Sequence, residues 1–196
     1  MSQCFGASAL RSAPDIGLRV DANQGWTAEQ AISVISAWED AGLGIEMVEQ
    51  PVAMDDLDAL EFVTRHVNTP ILADEAVWTT RDLTEVIRRR AADMVNIKLA
   101  KTGGLREALR MAELARQNGV AVIIGCMMES HVGISAAASL ACAFESTAAT
   151  ARGTAHDLDA GLWMKRSPVT GGAEYRRDAV HLPDAAGLGI SELAAD

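Results

Sequence analysis

Short apolar runs that each end in a charged residue recur along this chain at nearly constant intervals, and this rhythm limits the folds open to it. Gly17-Leu-Arg-Val-Asp21, Ile45-Glu-Met-Val-Glu49, Pro70-Ile-Leu-Ala-Asp74 and Val95-Asn-Ile-Lys98 are four such runs. Their last residues lie 28, 25 and 24 positions apart. Each gap has room for a turn and one amphipathic helix, the content of a βα unit, and strands joined in this way run parallel. Val120–Ile124 and Thr154–Asp157 continue the series to six units, with strand ends near Gly125 and near Asp157. Val120-Ala-Val-Ile-Ile124 is apolar throughout, as a parallel strand buried on both faces requires.

The segments between the runs carry helix signals. Thr27 followed by Gln30 reads as a capping box, ahead of a face of Ala31, Ile32, Val34, Ile35 and Trp38. Gly42-Leu-Gly44 ends that helix. Asp55 or Asp56 caps the next, with Leu57, Leu60, Phe62 and Val63 as its apolar face, and Thr80 to Arg90 forms a third. After Thr102-Gly-Gly104 a helix runs to Gly119, its expected C′ residue, and Ser130 opens an Ala-rich helix to about Ala143. The βα rhythm stops at residue 165.

Two architectures fit. A doubly wound open sheet is one, although its glycine-rich phosphate fingerprint is absent. An eight-stranded (β/α) barrel has the right period but needs roughly 250 residues. This chain has 196, so two units are expected upstream of Pro14. The expected organisation is a weakly patterned remnant at 1–13, a partial barrel at 14–164, and a tail at 165–196.

Composition excludes several classes. The formal charge is −10 and no basic stripe is present, which argues against a nucleic-acid surface. No run approaches the roughly 20 apolar residues of a membrane span, and the N-terminus lacks the features of a signal peptide. Cys4, Cys126 and Cys142 are odd in number and form no CxxC pair, which suits a reducing, cytoplasmic setting.

In a parallel barrel, chemistry sits at the C-terminal strand ends. Three consecutive ends offer Asp21, Glu49 and Asp74. Converging carboxylates repel unless a cation lies among them, and oxygen-only ligands favour a hard ion such as Mg2+. Each acid has an alternative use as a helix cap. Lys98 follows around the rim. A lysine beside a divalent cation loses its proton more readily, which makes it a candidate general base, or else an ion-pair partner of Asp74. Lys101 is expected to face solvent or a loop. Asp157 and Asp159 share a face if the last strand continues that far, and suit a substrate ammonium group or a turn cap. His131 and His156 lie near the same rim, as catalysts or as packed side chains.

Val20-Asp21-Ala22-Asn23-Gln24, Glu49-Gln50-Pro51, Ala73-Asp74-Glu75, Asn96-Ile97-Lys98 and Lys101-Thr-Gly-Gly104 together resemble the enolase superfamily, in its muconate-lactonizing-enzyme subgroup. The resemblance runs from about Pro14 to Ile190. It implies an α/β fold, a TIM-type barrel, with Asp21, Glu49 and Asp74 holding Mg2+, Asn23 and Lys101 supporting them, and Lys98 as acid/base. The metal then binds the substrate carboxylate and stabilises the enolate left when the α-proton departs. Gly125-Cys-Met-Met-Glu-Ser130 and Asp157-Leu158-Asp159 resemble the dipeptide epimerases of that subgroup, whose Asp-x-Asp pair binds the α-ammonium of a dipeptide. L-Ala-D/L-Glu epimerisation is the nearest named activity.

The chain departs from that family in one respect that bears on chemistry. Such enzymes carry a Lys-x-Lys motif on an early strand, which supplies a base on the opposite face of the substrate. The lysines here are Lys98, Lys101 and Lys165, and none precedes Asp21. The family's N-terminal capping domain is not in the sequence either. The expectation is therefore a partial barrel from a truncated gene, its tail directed toward a capping domain, and its exposed strand edges prone to self-association. A cycloisomerase, an o-succinylbenzoate synthase-like dehydratase and an inactive metal-binding fragment are the alternatives.

Overall fold

A computed structural model describes residues 17–144 and 155–194. The expected remnant at 1–13, Pro14, Cys4 and Thr154 lie outside the described residues. Contacts divide the chain into two compact units. One holds the residues up to Ala76 together with Glu85–Met94, and the other holds Val77–Thr84 together with the residues from Val95 on. Among the described residues no helix is long and apolar enough to cross a membrane.

In the first unit, β1 (Leu18–Asp21), β2 (Ile45–Glu49) and β3 (Ile71–Ala73) lie side by side in chain order. Both pairings are parallel, with Asp21 opposite Glu49 and Glu49 opposite Leu72. Helix α1 (Ala28–Asp40) joins β1 to β2, and α2 (Leu57–His66) joins β2 to β3. The Thr27–Gln30 capping box forms in both directions, satisfying two backbone donors that the first turn leaves without partners. Asp56 caps α2 by accepting from the Ala59 N–H. Each helix buries a narrow stripe, Ala31 and Ile35 on α1 and Leu60 and Val63 on α2, and in the sheet Val48, Ile71 and Leu72 are fully buried. Each of the large side chains stabilises the fold by about 1.5–3 kcal/mol. Phe62, expected on that stripe, is 46% exposed. It follows Leu60 by two residues, about 200° around the helix, and so points away.

Helix α3 (Thr80–Arg89) precedes β4 (Met94–Lys98). In the second unit β4 is neighbour to β5 (Ala121–Gly125), and Asp157 adds a parallel bridge to Gly125. A one-turn helix, α4 (Leu99–Thr102), follows β4 directly, then α5 (Leu105–Gln117) and α6 (His131–Ala143). Ser130 caps α6 through the Val132 N–H, and Gly119 takes the left-handed conformation expected after α5. Among the described residues, 155–157 form that one bridge rather than a strand.

Among the described residues, 165–194 hold four short strands in two antiparallel pairs: β6 (Val169–Gly171) with β9 (Ile190–Leu193), and β7 (Glu174–Arg176) with β8 (Ala179–His181). It is tied down within its unit. The Ala173 N–H donates to Ser135 Oγ on α6 at 2.8 Å. The Tyr175 hydroxyl donates to the Leu158 carbonyl at 2.5 Å and accepts from the Gly161 N–H at 3.1 Å.

Candidate active site

The first unit carries three acids at three consecutive strand ends. Register partners on parallel strands project to the same face, so Asp21 and Glu49 point the same way. Asp74 follows Leu72, the partner of Glu49, by two residues and shares its face. Glu49 is 6% exposed and Asp74 4%, whereas Asp21 is exposed at the edge strand. Asp21 Oδ1 accepts the Asn23 N–H at 2.8 Å, and Asn23 and Gln24 both take positive φ in the turn that follows. Asn23 thus supports Asp21 through its backbone.

Gln50 ties these ends together, a role that its place between Glu49 and Pro51 does not announce. It is fully buried, at φ 34°, a conformation uncommon for any residue but glycine. Its Oε1 accepts from the Asp74 N–H at 3.0 Å and the Ala76 N–H at 3.1 Å, while Nε2 donates to the Val52 carbonyl at 3.0 Å. Its own N–H donates to the Leu72 carbonyl, and its carbonyl accepts from the Gln24 N–H at 2.8 Å. Gln24 in turn donates to Glu75 Oε1 and accepts from the Met54 N–H.

In the second unit Lys98 closes β4 and is 8% exposed. Lys101 corrects an expectation, because it is also only 8% exposed and its Nζ donates to the Asn96 carbonyl at 3.0 Å. The chain coils into α4 immediately after Lys98, and this turn swings Lys101 back over the strand it has just left. Asn96, 1% exposed, fills the space beside Gly125, where an added Cβ would fall 2.3 Å from Asn96 Oδ1.

Asp157 and Asp159 are exposed on either side of buried Leu158, so they share an outward face although the extended chain stops there. Asp159 has helical φ and ψ at the head of a 3-10 turn, Ala160–Trp163, and its side chain makes no capping bond. Turn capping therefore does not explain that acid. Cys126, buried beside this segment, has its thiol pushed above the usual range. Burial is the larger cause; a backbone hydrogen bond from Ala160 opposes it, and the charges of Asp157, Asp159 and Glu129 reinforce it. Both histidines have partners within this unit. His156 Nδ1 accepts the Ile124 N–H at 3.1 Å, and the His131 ring meets Tyr175 edge-on.

The donor set at the ends of β1, β2 and β3 is oxygen only, which suits a hard divalent ion. As the side chains stand, no three His, Cys, Asp or Glu groups among the described residues converge closely enough to hold one. The backbone register is already suitable, because it sets Asp21, Glu49 and Asp74 on one face at one end of the three strands.

The chain is similar to known proteins. Residues 7–193 match the family described as enolase C-terminal domain-like. L-Ala-D/L-Glu epimerase of Bacillus subtilis (strain 168) is 45% identical over 175 residues, which cover 89% of this chain and 46% of that protein. Chloromuconate cycloisomerase of Cupriavidus pinatubonensis is 35% identical over 173 residues, covering 88% of this chain and 45% of the relative. The crystal structure of dipeptide epimerase from Enterococcus faecalis V583 complexed with Mg and dipeptide L-Leu-L-Tyr superposes with a TM-score of 0.84 at 43% identity, covering 95% of this chain and 51% of that one. The chain spans about half the length of the curated relatives it matches. It belongs to the enolase C-terminal domain-like family of the enolase superfamily, and its strands and helices are those of part of a (β/α) TIM-type barrel.

Proposed function

We propose that this chain carries the cation site and one acid/base of an Mg2+-dependent dipeptide epimerase, an isomerase acting on amino acid derivatives. The observation that carries the reading is the file of acids at successive strand ends, Asp21 opposite Glu49 and Asp74 one step further on the same face. In this reading Asp21, Glu49 and Asp74 hold Mg2+ by rotation about their side-chain bonds, with no change of strand register. When bound, the ion supplies Lewis-acid stabilisation of the negative charge that builds on the substrate carboxylate as the α-proton leaves.

Lys98 takes that proton in its neutral form and returns it as the ammonium. Asp157 and Asp159 hold the α-ammonium of the dipeptide, and Lys101 fixes the turn that carries Lys98 by holding the Asn96 carbonyl. The exposed acid pair favours a dipeptide over the muconate-type substrates of a cycloisomerase, which have no ammonium group to bind. Epimerisation also needs a proton donor on the opposite face, and the lysines of this sequence are Lys98, Lys101 and Lys165. With Lys98 as its acid/base, the chain is expected to exchange the α-proton on the face that Lys98 serves.

The test is 1H NMR of small L,L- and L,D-dipeptides in D2O with the chain and Mg2+. Loss of the α-proton signal in one stereoisomer only, without appearance of the epimer, is the expected result. A Lys98→Met variant should slow it by about 10²–10⁴-fold. Full epimerisation would assign the second proton transfer to another group of this chain, and absence of exchange in every dipeptide would contradict the proposed activity of this polypeptide.

A further inference from the structure

The proposed cation site requires three acids to stay aligned in spite of their mutual repulsion, and the carboxylates do not supply that alignment themselves. Asp21, Glu49 and Asp74 come from three separate strand ends, and β3 is only three residues long. Something must fix the end of β3, where the chain turns away through Asp74, Glu75 and Ala76, against the end of β2.

We infer that Gln50 is the positioning residue that sets the three acid-bearing strand ends for cation binding. It follows Glu49 in the chain and its side chain holds the N–H of Asp74, so one residue sets the offset between the second and third acids. Its second acceptor bond, to the Ala76 N–H, prevents the turn after Asp74 from swinging outward. Its carbonyl accepts the Gln24 N–H, and the Ala22 N–H donates to the Glu49 carbonyl, which brings the loop after Asp21 into the same frame.

The choice of side chain follows from these partners. The site presents two N–H donors and one carbonyl, so it needs an acceptor with two lone pairs and a donor on the same planar group. A carboxamide has both. A carboxylate lacks the donor, and an aliphatic side chain of the same volume lacks all three bonds. Full burial makes each lost bond expensive, since no water replaces it. The positive φ of Gln50 is a further cost, and the surrounding hydrogen bonds hold it in place. The Gln50 carboxamide is committed to Asp74, Ala76 and Val52, so Gln50 acts through Glu49 and Asp74.

This inference rests on the reading of Asp21, Glu49 and Asp74 as a cation site, and the experiment separates the two. Mn2+ is titrated into the chain under electron paramagnetic resonance, which reads both the free ion and the symmetry of the bound one. The melting temperature is measured without metal in parallel. Gln50→Leu removes the three side-chain bonds. Gln50→Asn keeps a carboxamide one methylene shorter, too short to bridge Asp74, Ala76 and Val52 together, and it decides the matter if Gln50→Leu does not fold.

The expected result is that the parent binds Mn2+ and that each folded variant binds it about 10-fold or more weakly, with an altered bound-ion spectrum. A lower melting temperature with unchanged Mn2+ affinity and spectrum overturns the inference alone, since a merely structural residue behaves in that way. A parent that binds no Mn2+ overturns the cation-site reading and the inference together.

Discussion

The acid-bearing ends of β1, β2 and β3 and the Asp157–Asp159 segment both present carboxylates, but they are built in opposite ways. In the first, sheet register sets the acids and Gln50 locks them, with Glu49 and Asp74 withdrawn from solvent. In the second, one β-bridge and the Tyr175 hydroxyl hold a segment whose two acids stand in solvent. A site that gathers like charges around one small ion needs its backbone fixed first. A pair that greets a flexible ammonium group needs only reach and charge. This difference matches the separate duties proposed above, cation binding for one and substrate capture for the other.

Separate duties can be broken apart by mutation. Asp159→Asn should leave Mg2+ affinity unchanged while weakening dipeptide binding about 10-fold or more, because a charge-assisted hydrogen bond is worth about 1.5–3 kcal/mol. The check is the dipeptide concentration at which α-proton exchange saturates. An equal loss of Mg2+ affinity would merge the two ends into one function.

A smaller effect reports on the support beneath the first end. The Glu39 carboxylate accepts from the Asn68 N–H at 2.8 Å, the Thr69 N–H at 2.6 Å, Thr69 Oγ1 at 2.8 Å and Asn68 Nδ2 at 3.1 Å, anchoring the loop that enters β3. Burial pushes this carboxyl upward, but the hydrogen bonds from Thr69 and Asn68 outweigh it and hold it below its ordinary value of 4.5. A depressed folded value means that the stabilisation is fully present above the unfolded pKa and is lost as pH falls through the folded one. Urea unfolding of the parent and of Glu39→Gln should therefore differ by about 1 kcal/mol at neutral pH, narrowing below about pH 4.5. A gap that widens on acidification would mean that the carboxylate is not the stabilising form.

The two ends were also unequally legible in the sequence. Where an element is short and bounded by strong local signals, residues alone located it. The Thr27–Gln30 box, the caps at Asp56 and Ser130 and the β2 boundaries all form as their residues require. The strand-end acids follow from the same local logic, since each closes an apolar run.

What the sequence concealed depends on partners distant in the chain or on tight backbone turns. Gln50 reads as a polar strand terminator before a proline, and its partners Asp74 and Ala76 lie 24 and 26 residues away, beyond the reach of any periodicity. Lys101 reads as a loop lysine because a single helical turn between a strand and two glycines carries no hydrophobic period. The run ending at Asp157 has a strand's composition, yet pairing rather than composition decides whether a strand forms.

The central claim, that Asp21, Glu49 and Asp74 constitute a divalent-cation site, is tested most directly by calorimetric titration of Mg2+ into the chain and into its Glu49→Gln variant. The account predicts one Mg2+ per chain in the parent. In the variant it predicts a loss on the order of 100-fold or more, exceeding the 10–100-fold typical of outer partners. Unchanged Mg2+ binding in Glu49→Gln, or none in the parent, would contradict it.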